Sequence, residues 1–164
     1  MAKEKKKGIF DYEAAPESTG HVQIKEKYDL FINNKWTKPH SNEYFETINP
    51  ATEKHISNVA RANEKDVDKA VKAARKAFPS WSKLPANERG KYLYRIARII
   101  QEKSREFAVI ETMDGGKPIR ESRDIDIPLA AAHFFYHAGW ADKLEYAFPG
   151  RKPKPLGVAG QIIP

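Results

Sequence analysis

Cysteine is absent from all 164 residues. That absence excludes a disulfide framework, a zinc site with thiolate ligands and any mechanism that runs through a thiol nucleophile on this chain. No apolar run approaches the roughly 18 residues that a spanning helix needs, so no membrane partner is expected. The start is basic, with Lys3, Lys5, Lys6 and Lys7, but no apolar stretch follows. A secretory signal is therefore not expected, and the chain reads as cytoplasmic. No serine lies in a Gly-x-Ser-x-Gly elbow. Gly115-Gly116-Lys117 lacks the spacing and the Ser or Thr of a phosphate-binding loop, and reads as a helix stop with a solvated lysine. Asp114, Asp124 and Asp126 read as helix-end and surface carboxylates. The residues themselves spell out no complete active site.

The charge is the next feature. Lys and Arg number 29 against 22 Asp and Glu, for a net +7. Residues 3–7 contribute +3 of it, and over the remainder the two signs interleave, as in Arg120-Glu121-Ser122-Arg123-Asp124. A phosphate-binding surface needs cations gathered on one face, so no nucleic-acid partner is expected. A tail-driven nucleic-acid binder is the minor alternative. Its affinity would fall steeply with salt and vanish on removal of residues 1–7.

Residues 1–27 are rich in Lys, Glu, Ser, Pro and Gly and bury too little to offset their chain entropy, which predicts a mobile or surface-draped arm. Leu30-Phe31-Ile32, Asn33-Asn34-Lys35 and Trp36-Thr37 predict a hairpin with an Asn-rich turn. Tyr44 to Ile48 is a second extended stretch, stopped at Asn49-Pro50 because the residue before proline is pushed out of the helical region. Ile56 to Ala60 is a third.

Helices follow. Asn63 is placed to cap one, with Asp66 three residues on. Val67, Val71, Ala74 and Phe78 share a face of it, and Pro79 is expected to end it. A longer helix is predicted from Pro85 to Gly115-Gly116, with Leu93, Ile96, Ile100, Phe107 and Ile110 on its apolar side. A third helical region covers roughly 120–146, with Pro128 as a kink or a restart. His133 and His137 stand four apart on it, but Phe134-Phe135-Tyr136 between them supplies no glutamate. They read as packed or rim histidines.

Phe148 to Pro155 reads as a rigid, extended, polar connector. Leu156-Gly157-Val158-Ala159-Gly160-Gln161-Ile162-Ile163-Pro164 reads as a buried strand of a parallel sheet. Gly157 and Gly160 make an incomplete dinucleotide fingerprint, which close backbone packing explains equally well. A parallel neighbour needs a crossover of a dozen or more residues, and none remains, so the chain reads as cut short.

From Tyr28 to Pro164 the sequence resembles the N-terminal part of the aldehyde dehydrogenase family. The likeness rests on Leu30 to Trp36, on Ile48-Asn49-Pro50-Ala51-Thr52, on Trp81 to Arg89 with Leu93 and Ala97, and on Glu111 to Pro118. Ala138-Gly139-Trp140-Ala141-Asp142-Lys143 and Pro155 to Pro164 complete it, all in the family's order.

The resemblance implies an α/β fold, here an incomplete N-terminal part of the cofactor-binding domain: short strands, then helices, then the first strand of a parallel sheet. Its divisions would be the arm at 1–27, the domain part at 28–143, a Pro-rich connector at 144–156 resembling the oligomerisation arm, and the strand at 157–164. The family's mechanism is thiolate attack on an aldehyde, hydride transfer to NAD or NADP, and hydrolysis of the acyl-enzyme by a glutamate-activated water. The nucleophile, the base and the glycine-rich cofactor turn would lie beyond Pro164.

Ile162, Ile163 and Pro164 match positions that line the cofactor pocket in relatives. Thr47, Ile48 and Asp114 match positions that hold a monovalent cation in some of them. The expectations are therefore no catalytic residue and no metal on this chain, cofactor-pocket residues Ile162, Ile163 and Pro164, and no NAD or NADP bound by the chain alone. The expected partner is a homo-oligomer or the remaining part of an aldehyde dehydrogenase. The alternative is a non-catalytic partner that docks onto a full-length or complementary dehydrogenase chain.

Overall fold

The computed structural model describes residue 15 and residues 18–163. Most of the arm expected at 1–27, and Pro164, lie outside the described residues. A short 3-10 turn, Thr19–His21, precedes five strands: β1 Lys27–Tyr28, β2 Leu30–Ile32, β3 Lys35–Thr37, β4 Tyr44–Asn49 and β5 Lys54–Ala60. The helices are α1 Glu64–Lys83, α2 Ala86–Glu102, α3 Ser104–Gly115, α4 Ile119–Glu121, α5 Ile127–Trp140 and α6 Leu144–Ala147. A π-helical segment, Ser122–Asp126, joins α4 to α5.

The hairpin forms as its turn chemistry dictates. β2 and β3 pair antiparallel, Phe31 opposite Trp36. Asn33 and Asn34 between them take φ of 52° and 60°, the left-handed pair that matches the twist of the two strands. A separate three-stranded sheet has the order β1-β5-β4, with β1 parallel and β4 antiparallel to β5. Asn49 closes the β4–β5 turn: its Oδ1 accepts from Ala51 N at 2.9 Å and its carbonyl from Glu53 N at 2.8 Å.

Asn63 caps α1 as expected. Its side chain accepts from the Lys65 and Asp66 amides, and Asp66 Oδ2 accepts from Asn63 N at 3.1 Å, a reciprocal capping box. The stop expected at Pro79 does not occur, and the helix runs on to Lys83. The ring removes one donor, but Ser80 Oγ donates to Ala77 O at 2.9 Å, and Trp81 packs edge-on against Tyr92, centroids 5.5 Å apart. Those contacts hold a last turn that proline alone would disfavour.

The single helix expected from 85 to 115 is two. Lys103 sits at φ −101°, ψ 17° between α2 and α3. The halves serve different partners: α2 packs mainly on α5, while α3 packs on the π segment and β4. At the first contact a Cβ on Gly90 would stand 3.1 Å from the Ala138 carbonyl oxygen, so the two helices approach closely there. Pro128 is the second residue of α5, directly after the π segment, where the helix passes from π to α geometry.

The buried apolar residues among those described are Ile32, Ala60, Ala97, Ala108, Val109 and Ala131. That core is built mostly from alanines, with the larger apolar side chains around it half-buried or exposed.

Candidate functional site

Two places carry the expectations drawn from sequence: the junction of β4 with the end of α3, and the segment that ends at Ile163. At the junction, α3 stops where the glycine pair predicts. Gly116 takes φ 72°, and its N–H donates to Thr112 O at 3.0 Å, which satisfies an end carbonyl that would otherwise be orphaned. A Cβ at Gly116 would collide with the Pro50 ring. The Asn49-Pro50 turn and the Gly115-Gly116 stop therefore lie one against the other, and α3 packs on β4, the strand that carries Thr47 and Ile48. Asp114 is exposed on the last turn of α3, and Thr47 Oγ1 donates to Ser57 O at 3.4 Å. Among the described residues no group of three or more His, Asp or Glu is placed to hold a metal ion.

Beyond the glycines the structure corrects the reading of Lys117. It is not a solvated lysine: its Nζ lies 2.7 Å from Asp126 Oδ2 and 3.1 Å from Glu111 Oε1. The hydrogen bond to Asp126, then that to Glu111, raises its pKa above the ordinary lysine value. Asp126 is accordingly a partner of the loop, not a free surface carboxylate. Thr112 Oγ1 donates to the Oγ of Ser122 at 3.0 Å, and Ser122, fully buried, opens the π segment. Together these contacts fasten a stretch of widened helix to the end of α3, an irregularity that local propensity does not signal. His133 and His137 are both exposed on α5, and the His137 ring meets Tyr136 edge-on at 5.3 Å.

The segment ending at Ile163 is the larger correction. The strand expected at 157–164 is not formed over its described residues, because 151–163 carry no regular secondary structure. Gly157 takes φ 126°, outside the strand region, and Ile162 and Ile163 are 98% and 74% exposed. Gly157 and Gly160 have open space where a Cβ would stand, so close packing does not explain them. The physical reason is the missing neighbour: a strand exists only where another supplies partners for its N–H and C=O groups. Val158, Ala159 and Gly160 instead lie beside Ala70, Val71, Ala74 and Arg75 of α1.

Ile162 and Ile163, two of the three expected cofactor-pocket residues, are exposed and offer apolar surface only. Pro164, the third expected pocket residue, lies outside the described residues.

The comparisons with known proteins decide the lineage. Residues 36–164 match the sequence profile of the aldehyde dehydrogenase family. The chain belongs to that family. It is 42% identical over 160 residues to a mitochondrial aldehyde dehydrogenase of Leishmania tarentolae, covering 93% of this chain and 31% of that protein. To an aldehyde dehydrogenase of Vibrio cholerae it is 41% identical over 154 residues, 89% of this chain and 30% of that one. An aldehyde dehydrogenase of Bacillus cereus, solved as its NAD+ complex, superposes with a TM-score of 0.70 at 40% identity, covering 73% of this chain and 25% of that structure. The chain thus spans about a third or less of the length of these aldehyde dehydrogenases. Its mixed α/β architecture is that of the corresponding part of their fold.

Proposed function

We propose that this chain supplies the N-terminal portion of an NAD(P)-dependent aldehyde dehydrogenase. The complete protein would oxidise an aldehyde to a carboxylic acid through a cysteine thioester, and this chain by itself would have no dehydrogenase activity. The observation that carries the reading is the family match over residues 36–164 in a sequence with no cysteine. In the family's mechanism a thiolate attacks the aldehyde and later leaves the acyl group, and this sequence contains no cysteine to supply one.

What this chain would contribute is scaffold. The Gly116–Pro50 contact holds the end of α3 against the β4–β5 turn, the Lys117 bridge ties it to the π segment, and α2 packed on α5 supplies helical cover for a sheet. We also propose a cytoplasmic location and an oligomeric complete protein.

The test is an assay of the purified chain with NAD+ and with NADP+ over aliphatic and aromatic aldehydes, following reduced cofactor. No turnover is expected. Measurable formation of NADH or NADPH would falsify the reading.

The second reading is a non-catalytic partner that docks onto a full-length or complementary dehydrogenase chain. One observation favours it: the apolar face of α1 is only partly covered, with Val67 56% exposed and Val71 and Phe78 half-buried, and the uncharged segment 156–163 beside it carries no regular structure. Mixing with a dehydrogenase chain would then change its activity and give co-elution in size exclusion. Separate elution with unchanged activity removes this reading.

A further inference from the structure

We infer that the helix from Ile119 to Trp140 holds one residue more than its two ends need, and that the Lys117 bridge latches this surplus at 122–126. The helix does not break there. Glu121, Ser122, Asp126 and Ile127 all keep right-handed helical backbones, and α4 passes through the π segment into α5. The Ile127 N–H donates to Ser122 O, five residues back. In an α-helix that donor would reach Arg123 O, so the widened turn takes in one additional residue.

Both ends of this helix are docked, and on different neighbours. Upstream, the buried Ser122 accepts from Thr112 Oγ1 of α3 at 3.0 Å. Downstream, Phe135 meets Tyr94 of α2 edge-on with centroids 5.1 Å apart, and the Ala138 carbonyl closes on Gly90. Were the same residues wound as α-helix throughout, α5 would turn about 100° and advance about 1.5 Å relative to Ser122. Phe135 and Ala138 would then leave α2. The π turn absorbs the surplus and lets both docks close.

Backbone geometry alone does not say which turn takes the surplus, since each placement widens one turn of the same helix. The side chains decide it. Lys117, in the loop after α3, puts Nζ 2.7 Å from Asp126 Oδ2 and 3.1 Å from Glu111 Oε1. Asp126 ends the π segment and Glu111 stands on α3, so the ammonium ties the widened turn to the helix it lies against. Asp124, the other carboxylate in the segment, is taken by Arg123 Nε at 2.7 Å. With the surplus one turn further on, the helix around Asp126 would be α-wound, and its carboxylate would swing about 100° away from Lys117.

The latch is able to open. The side chains of Lys117, Glu111 and Asp126 are all partly in water, where ion pairs are weak and screened by salt. Closed, it makes the end of α3 and the α2–α5 pair one body. Open, it frees the surplus residue to move along the helix, a register step between two packed elements.

Amide hydrogen exchange on the intact 164-residue chain, followed by NMR, tests this. Lys117→Met nearly keeps the side chain's length and removes its charge. The Ile127 amide should then exchange at least about tenfold faster, while Ala108 of α3 and Ala131 of α5 stay within about twofold of their rates. An unchanged Ile127 overturns the inference. So does equal acceleration at all three, which would make the bridge a general stabiliser. Deletion of Asp124, which is exposed and paired with its own neighbour, should turn Ile119 to Trp140 into an unbroken α-helix, with Ser122 and Ile127 now an α-helical pair. The Tyr94–Phe135 ring contact should survive as a nuclear Overhauser effect. Lys117→Met in that chain should change Ile127 exchange by less than about twofold, because no surplus is left to hold. Loss of the ring contact, failure to fold, or an effect of Lys117→Met as large as in the parent chain overturns the assignment.

Discussion

Tyr44 shows how a single side chain couples this fold to pH. Its Oη donates to Asp29 Oδ1 at 2.6 Å, and Lys27 Nζ stands 3.4 Å above the centre of its ring. The hydrogen bond to Asp29, then desolvation, then the Asp29 charge pushes the phenol from 10.0 up to about 12. Ionisation would lose the donor and set two anions side by side. Because the folded value lies above the unfolded one, the stabilisation is whole below about pH 10 and is lost as the pH rises toward about 12. An ultraviolet titration of phenolate should show one tyrosine in that high range, and Asp29→Asn should bring it down toward the ordinary tyrosine value. Asn33, Asn34 and Gly116 belong to the same scale. Their left-handed backbones were legible from residue type alone, since few side chains tolerate that region.

At the scale of the element, α1 depends on Asp66. This buried carboxylate accepts from Asn63 N and, through both oxygens, from His40 N at 3.1 Å, so it caps the helix and fastens the 38–43 loop to it. Asp66→Ala leaves two backbone donors without their acceptor and should lower stability by about 1–3 kcal/mol, read as a lower urea midpoint. A midpoint shift within about 0.5 kcal/mol, as for a surface change, would show that the loop and the cap are independent of it. The Asn63 start was legible because a cap is a local contract among four residues. The stop at Pro79 and the unbroken helix from 85 to 115 were misread for the opposite reason. Trp81 on Tyr92, and the separate partners of α2 and α3, are contacts between different elements, and they outweigh a local propensity of a few kcal/mol. The Lys117 bridge escaped the same way, since Glu111 and Asp126 become neighbours only once α3 ends and the chain turns back.

The molecule as a whole has a core of small residues and a tail that belongs to no sheet. Replacing Ile162 and Ile163 together by Lys should leave the circular dichroism unchanged and shift the denaturation midpoint by no more than about 0.5 kcal/mol, because these side chains are already in solvent. A large loss of stability would mean that the segment is packed in a way its exposure contradicts. By itself the sequence determined the family, the hairpin and its turn, the capped start of α1, the glycine stop of α3 and the absence of a thiol nucleophile. Each is a property of residue identity within a few positions or of ordered blocks along the chain. Only the tertiary structure decided that α1 outruns its proline, that Lys117 is held between two carboxylates, and that 157–163 is not a strand. Those outcomes turn on whether a partner stands across from the residue, and pairing is a property of the folded chain rather than of any segment of it.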